Sequence, residues 1–450
     1  MSQVDSQPKF RVAIIGGGMG GLVLGLCLKK YAPDVDYDIY ESAAELTEVG
    51  AGVGMSPRIW TIMQELGLED ELLTITGVQG QGGGAILRLV KGDEQELIDI
   101  TQQNQLHTFH RSMLQQLLAK HLDAGDKIHF SKRLVSYSEP SSTVDPIVLN
   151  FKDGTTATCD LVIGSDGVRS AVRRTMFSTF ADEAEKNGKT EEASKLRAMV
   201  EPVWTGEVAY RGLTPASALS EDLVKFTSSL QIFVGKNRDA VIYPVSGGKI
   251  INVLGVVYTP GSGTVYDGPW VETSTSDEVG KLFDGWEPKV LAVLKSVGHP
   301  LCWAMHTTRK LPTYVKGRAA LIGDAAHAML PHQGAGVGQA FEDGYILATI
   351  LSHSSVKLSN AAEALKIYDD VRRPFSQKVQ QGSEDNAKRY QLRTDDWEDV
   401  TLEDSKAGQY DHAKLDVLAK EFMHQMQWSF DSSILGDRDQ VEEKLRVLSV

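Results

Sequence analysis

Two glycine-rich segments, about three hundred residues apart, limit what this chain can fold into more than any other feature. Near the N-terminus, Arg11-Val12-Ala13-Ile14-Ile15 runs into Gly16-Gly17-Gly18-Met19-Gly20-Gly21, a strand ending in a G-x-G-x-x-G turn. Gly16 permits the tight turn, Gly18 lets the backbone approach a pyrophosphate, and Gly21 lets the next helix pack on its strand. Met19 lies inside the turn and counts with these positions. The helix expected over Gly21–Lys30 aims free N–H groups and the positive end of its dipole at the phosphates. Asp38-Ile39-Tyr40 closes a second strand, and Glu41 follows twenty residues after Gly21. That is the spacing of a carboxylate accepting from a ribose 2′-hydroxyl, so the unit predicts a dinucleotide site.

Downstream, Ala319-Ala320-Leu321-Ile322 reads as a buried strand running into Gly323-Asp324-Ala325-Ala326-His327, then Pro331-His332-Gln333-Gly334-Ala335-Gly336. A buried strand delivering an acid and then a proline–glycine loop suits the other half of the same cofactor. The pair points to FAD rather than to NAD alone, held non-covalently because no attachment motif is evident. Asp324 is placed to accept from ribityl hydroxyls, its alternative being an N-cap for the following turn. Gly334 to Gly338, with Gly336 and Val337 inside it, opens the helix that carries Glu342. The unpaired N–H groups there suit negative charge developing on a reduced flavin. A third strand, Asp160 to Ile163, leads into Gly164-Ser165-Asp166-Gly167, where the backbone at Asp166 approaches the cofactor.

At 450 residues the chain predicts two or three domains. The expected fold is α/β: a Rossmann-like FAD-binding domain with an inserted, mostly antiparallel β-sheet substrate domain and a helical C-terminal region. The boundaries fall at 1–75, 101–178 and 300–375 for the discontinuous FAD-binding domain, 76–100 and 179–299 for the sheet, and 376–450 for the helical region. Gly80–Gly84 reads as a hairpin turn or mobile loop, Glu48–Ile59 as a glycine-rich loop leading into a helix, and the charge-rich Asp182–Arg197 as a solvated helix or loop. Helices are expected over Met113–Leu122, Tyr345–Leu351, Ala361–Val371 and Asp411–Gln427. A net charge of −14 argues against nucleic acid and anionic membrane surfaces. No apolar run approaches the roughly 20 residues of a membrane span, and the polar N-terminal tail lacks a signal-peptide pattern. Three well-separated cysteines predict reduced thiols and a cytoplasmic location, as a monomer or homodimer.

The glycine motif with Glu41, the Asp160–Arg169 segment and Gly323–Asp324 with its trailing loop resemble the single-component flavin aromatic hydroxylases, which share the fold of para-hydroxybenzoate hydroxylase. Val49-Gly50-Ala51-Gly52-Val53, Ala209-Tyr210-Arg211-Gly212, Ile250-Ile251-Asn252-Val253 and Gly323 through Asp343 make the chain most similar to the salicylate hydroxylases within them. The resemblance implies that Arg111, opening a helix, contacts the FAD, and that Asp166-Gly167 has a dual role with pyridine nucleotide. Arg211 follows Tyr210 on a strand and offers a planar fork for a carboxylate or phenolate, against the exposed position usual for a strand arginine. Tyr243 either turns inward toward the ring or packs in the sheet. His332 lies beside the expected flavin edge and suits removal of a phenolic proton, its alternative being an exposed loop histidine. His327 supports it from behind.

The resemblance implies an FAD-dependent monooxygenase that uses NADH or NADPH and O2, through a flavin C4a-hydroperoxide, on a small phenolic aromatic acid. Salicylate would give catechol and CO2. A dearomatising hydroxylase of a polyketide phenol would use the same Arg211 and Tyr243 without CO2 loss. An FAD oxidase or electron-transfer flavoprotein is the remaining alternative, which the inserted sheet argues against because electron transfer needs no substrate pocket.

Overall fold

The computed structural model describes residues 8–46, 52–76, 85–122, 125–140, 142, 145–261, 263 and 265–448. Residues 48–51 of the expected glycine loop and the Gly80–Gly84 turn lie outside them. The first strand, Arg11–Ile15, is buried at four of its five positions. It pairs in parallel with Asp36–Tyr40 on one edge and Leu161–Gly164 on the other. Ala319–Leu321 continues the parallel set beyond Leu161–Gly164, so both glycine segments leave the same six-stranded sheet. Runs such as Val12–Ile15 and Leu161–Ile163 are apolar without alternation because a parallel sheet is covered on both faces. The helix after the first turn, Met19–Tyr31, packs along Gly336–Ser352 through small residues. A Cβ on Gly344 would stand 3.1 Å from the backbone nitrogen of Leu24, tight enough that the neighbouring helix would have to shift.

The second sheet has nine strands, in the order Val271–Thr273, Leu301–Thr307, Val203–Pro215, Ile250–Tyr258, Arg238–Val245, Leu230–Gly235, Ala85–Lys91, Ile98–His110 and Gly52–Met55. All pairs are antiparallel except Leu230–Gly235 with Ala85–Lys91. The expected boundaries at 75, 101 and 300 therefore move. Gly52–Met55, Ile98–His110 and Leu301–Thr307 belong to this sheet because its hydrogen-bond ladder runs through them, with Ala209 opposite Trp303 and Val53 opposite Phe109.

Alternation gives the nine-stranded sheet two different faces. Phe233, Ala240, Ile242, Ile251 and Val253 form one, packed under Phe283, Trp286, Val290 and Leu294. Leu87, Leu89, Leu230, Ile232 and Val234 start the other, packed under Tyr390, Leu392, Trp397, Leu418 and Phe422. Each such large apolar side chain contributes about 1.5–3 kcal/mol by leaving water. The C-terminal helices are thus a cover over the substrate-side face, with Ala413–Met426 close to the expected Asp411–Gln427.

One helix overruns its expected end. Ala361–Tyr390 runs through Pro374, where the sequence predicts a stop at Val371. A mid-helix proline costs about 3 kcal/mol, and burial of Arg372, Ser376, Val379 and Gln380 around it outweighs that cost. The charge-rich segment falls on the end of Ala171–Lys186, whose Val172, Met176 and Phe177 enter the core, and on the mostly exposed helix Thr190–Arg197, the two joined through Ala181, Ala184 and Ala193. Among the described residues, no helix is long and apolar enough to cross a membrane.

Candidate active site

The cofactor half is made from backbone. Gly16 adopts φ +109°, and a Cβ there would meet the carbonyl oxygen of Ser165 at 2.3 Å. A Cβ on Gly21 would stand 2.1 Å from the oxygen of Gly16. Gly18, which caps the first helix, differs: nothing lies within 4 Å of its Cβ position. That open space, bounded by helix N–H groups, is what a pyrophosphate requires. Met19 is buried in the core and offers the cofactor its backbone alone. Glu41 accepts from the N–H of Gly17 at 2.7 Å and from that of Ala43 at 2.7 Å, which fixes its carboxylate beside the turn.

The downstream segment arrives at the same place. Cβ atoms built on Gly20 and on Gly323 would each lie 3.1 Å from Cβ of Ala340. The two motifs therefore converge on one residue of the Gly336–Ser352 helix. Gly323, at φ +57°, caps the short Asp324–His327 helix, so Asp324 is not its N-cap. Asp324 is exposed between the buried residues Gly323 and Ala325 and makes no side-chain hydrogen bond within the described residues. Gly334, at φ +60°, and Gly336 also face open space, and Val337 is half-buried behind them. Open backbone over Gly18, Gly334 and Gly336, with an exposed carboxylate at Asp324, fits FAD.

Asp166 has a structural task for its side chain. Its carboxylate accepts from Ser170 Oγ and from the N–H groups of Ala171 and Val172, capping Ala171–Lys186. Only its backbone remains for a cofactor. Behind it stands Arg173, which the sequence pattern does not single out. Its guanidinium is buried and donates to the carbonyls of Val168, Val200 and Ala325, clasping the Asp166 turn to the Asp324 helix. Burial pulls this guanidinium down to about 10.

His327 is also fully buried, and its Nε2 lies 2.6 Å from Asp343 Oδ2. The same oxygen accepts from the N–H of Gly323 at 2.9 Å, and Arg372 Nε donates to the other at 2.9 Å. Arg372 also donates to Glu342 at 2.6 Å, and Glu342 receives Arg58 through both oxygens at 2.9 and 3.0 Å. Burial pushes the Asp343 carboxyl up, but His327 and Arg372 outweigh it and hold it below its ordinary value. This cluster braces the Gly323 turn from below.

The substrate half is made from side chains on the sheet face described above. Register puts Arg211 opposite Leu254 and Tyr243 opposite Asn252, all on that face. The Arg211 guanidinium lies 4.5 Å over the ring of Trp303. The hydroxyl of Tyr243 comes so close to Gly52 that a Cβ there would be 2.2 Å away, and Gly52 N donates to Asn252 Oδ1 at 2.9 Å. Arg111 begins the Arg111–Leu122 helix at the end of the long Ile98–His110 strand. Burial raises the Tyr243 phenol, while Arg211 and Arg111 pull it down, so the three groups share one electrostatic site.

His332 is not an exposed loop residue. It is 4% exposed, and its Nε2 stands 3.3 Å from Asp239 Oδ1 and 3.9 Å from Glu207 Oε2. Burial pushes the ring down, the two carboxylates push it up more strongly, and the net direction is up. Two buried carboxylates beside Nε2 favour the protonated ring over the neutral one. Asp239, Glu207, Asn252 and Trp303 escape a reading of the sequence alone. The available signal was an acid at an inward strand position, as in Gly206-Glu207-Val208 and Arg238-Asp239-Ala240.

Cofactor cradle and substrate face together define a flavoprotein that brings a second small molecule to its cofactor. Comparison with known proteins makes this specific. The family model for the FAD binding domain matches residues 9–221 and 299–383, more than half of the chain. A salicylate hydroxylase of Pseudomonas putida is 33% identical over 398 residues, covering 85% of this chain and 86% of its own. A 6-methylsalicylate 1-monooxygenase of Aspergillus terreus is 32% identical, covering 83% of this chain and 81% of its own. A solved salicylate hydroxylase–substrate complex is similar with a TM-score of 0.77 at 30% identity, over 97% of this chain and 98% of that one. The chain belongs to this family of FAD-dependent aromatic monooxygenases. Its cofactor is FAD, and NAD(P)H is consistent with the family as co-substrate.

Proposed function

We propose that the protein hydroxylates a phenolic aromatic acid, with salicylate converted to catechol and CO2 as the leading case. The observation that carries this reading is Arg211 on the sheet face with Tyr243 and Trp303. A flat, partly desolvated guanidinium beside aromatic walls suits an aromatic ring bearing a carboxylate. Bound FAD supplies hydride acceptance from the nicotinamide and oxygen transfer from O2. The residues of the chain orient, neutralise and exclude water. Arg211 pairs with the carboxylate and fixes the ring. Tyr243, its hydroxyl held against Gly52, bounds the pocket on the cofactor side; burial keeps its phenol protonated, so it can only relay the substrate's proton onward to solvent. Arg111 adds positive potential that favours a phenolate. Glu41, Asp324 and the Gly16–Gly21 turn hold the adenosine, ribityl and pyrophosphate parts.

Salicylate, NADH, O2 and two protons would give catechol, CO2, NAD+ and water. Incubating the purified holoenzyme with carboxyl-labelled salicylate tests this: labelled CO2 and catechol should appear together with NADH consumption. Hydroxylation with retained carboxylate would replace the decarboxylative reading, and no stimulation of NADH oxidation by any simple phenolic acid would remove the substrate class. Three buried, unpaired cysteines suit a reducing compartment and support a cytoplasmic location.

A further inference from the structure

Beneath the Pro331–Gly336 loop lies a buried charge cluster that cofactor binding does not need. Glu207 and Asp239 stand on the same two strands as Arg211 and Tyr243, each four residues away and on the same face. At about 3.3 Å per residue, Glu207 lies roughly 13 Å along its strand from Arg211, the proposed carboxylate anchor, and Asp239, level with Ala209, roughly 7 Å along the sheet from it. Both are at most 1% exposed. Asp239 Oδ1 faces His332 Nε2 and also accepts from Gln391 Nε2 at 2.8 Å. Glu207 Oε1 accepts from Arg393 Nη2 at 2.9 Å, and the guanidinium of Arg393 sits 3.7 Å over the ring of Tyr258. From the long helix, Asn386 donates to the carbonyl of His332 at 3.2 Å, and Tyr390 lies 5.6 Å from the imidazole.

The charges here can be counted. Burial and Asp239 push the Glu207 carboxyl up while His332 and Arg393 pull it down; with both carboxylates ionised against one permanent cation, Arg393, a neutral imidazole would leave a net negative charge in a dry site. Burying an uncompensated charge is costly, and a protonated His332 balances the set. The ring then carries hydrogens on both nitrogens, with Nε2–H directed at the carboxylates. Nδ1 is buried and has no hydrogen-bond partner among the described residues. A buried donor without an acceptor is expensive unless a ligand supplies one.

We propose that Asp239 and Glu207 are positioning residues that clamp His332, so that the loop presents an Nδ1–H donor to an anionic oxygen of the bound phenolic acid. The proposal rests on the hydroxylase reading for its ligand, and on the buried cluster for its clamp. It changes the role of His332 from proton acceptor to anchor, with the phenolic proton leaving by Tyr243 or solvent. The two carboxylates act through His332 and do not touch the substrate.

Two measurements on the FAD-loaded full chain decide it. Selective 13C labelling of histidine, with His332→Asn to identify the signal, follows the charge of this ring directly and needs no substrate. The ring should remain protonated at pH 7, and Asp239→Asn should lower its midpoint by about one pH unit or more, with Glu207→Gln giving a smaller drop. A neutral ring at pH 7 in the unaltered protein overturns the clamp, as does an unchanged midpoint in Asp239→Asn. If that variant does not fold, the unaltered protein and Glu207→Gln still decide between a clamped and an unclamped ring.

The second measurement is the dissociation constant of salicylate, read from the flavin spectrum. Asp239→Asn should bind about tenfold more weakly at pH 8 and close to normally at pH 6, where its ring is again charged. Equal weakening at both values would make the carboxylates merely structural. If no phenolic acid binds even the unaltered protein, the hydroxylase reading fails and with it the assigned ligand, while the histidine titration still judges the clamp.

Discussion

The cofactor half and the substrate half of the site are made of different materials. Around Gly18, Gly323 and Gly334, the working surface is main chain, and what matters is where a Cβ is missing. Around Arg211, Tyr243 and His332, the working surface is side chain, and what matters is which strand face each residue occupies. A backbone cradle tolerates little change in shape but is indifferent to most neighbours. A side-chain face depends on partners brought from far along the chain, as Asp239 depends on Gln391 at a separation of 152 residues. The first is suited to a cofactor that is always the same, the second to substrates that differ between related enzymes.

The comparison breaks most visibly at the brace behind the cradle. Arg372→Ala would leave Asp343 and Glu342 buried with their main cation gone, at a cost of about 3–5 kcal/mol in stability. Chemical denaturation of the purified variant measures it, and a loss below about 1 kcal/mol would show the cluster to be well solvated after all.

Two glycine substitutions then separate shape from access. Gly18→Val should fold normally yet bind FAD about a hundredfold more weakly, close to 3 kcal/mol, because its side chain fills the space meant for phosphate. Gly16→Val should damage the fold itself, since its Cβ overlaps Ser165 and its φ is strained. Flavin content and melting temperature, measured together, distinguish them. Full flavin in Gly18→Val would mean that the pyrophosphate lies elsewhere.

A smaller effect is expected with pH. Asp343 is held below its ordinary value, so it stabilises the fold above about pH 4 and loses that contribution as pH falls through its folded value. Acid should therefore release FAD and lower the melting temperature together. Asp343→Asn should flatten that acid limb while being less stable at pH 7. An acid limb of the same depth in the variant would move the effect to other carboxylates.

Legibility in the sequence follows the same division. Gly16–Gly21, Glu41 and Gly323–Asp324 can be read directly because a missing Cβ or a fixed spacing is a local property. The nine-stranded sheet is legible as an inserted antiparallel unit, but its edges are not. Leu301–Thr307 looks no different from a strand of the parallel sheet until its partner is known. Pro374 inside the Ala361–Tyr390 helix defeats a rule that holds when burial does not outweigh the lost hydrogen bond. His332 stands out in sequence, but nothing within ten residues of it shows the two carboxylates that face its ring. Arg173 and Arg372 do not stand out, because a buried arginine and an exposed one look alike in sequence.

Whether the sheet face, and not the cradle, selects an aromatic acid is tested most directly by titrating salicylate into the FAD-loaded protein and into Arg211→Ala, following the flavin spectrum. The unaltered protein should show saturable binding. Arg211→Ala should bind about 2–3 kcal/mol more weakly, some 30- to 150-fold, with its ratio of FAD to protein unchanged. Equal affinity in the two proteins, or loss of FAD in place of loss of salicylate, would contradict the division of the site into a backbone cradle and a side-chain face.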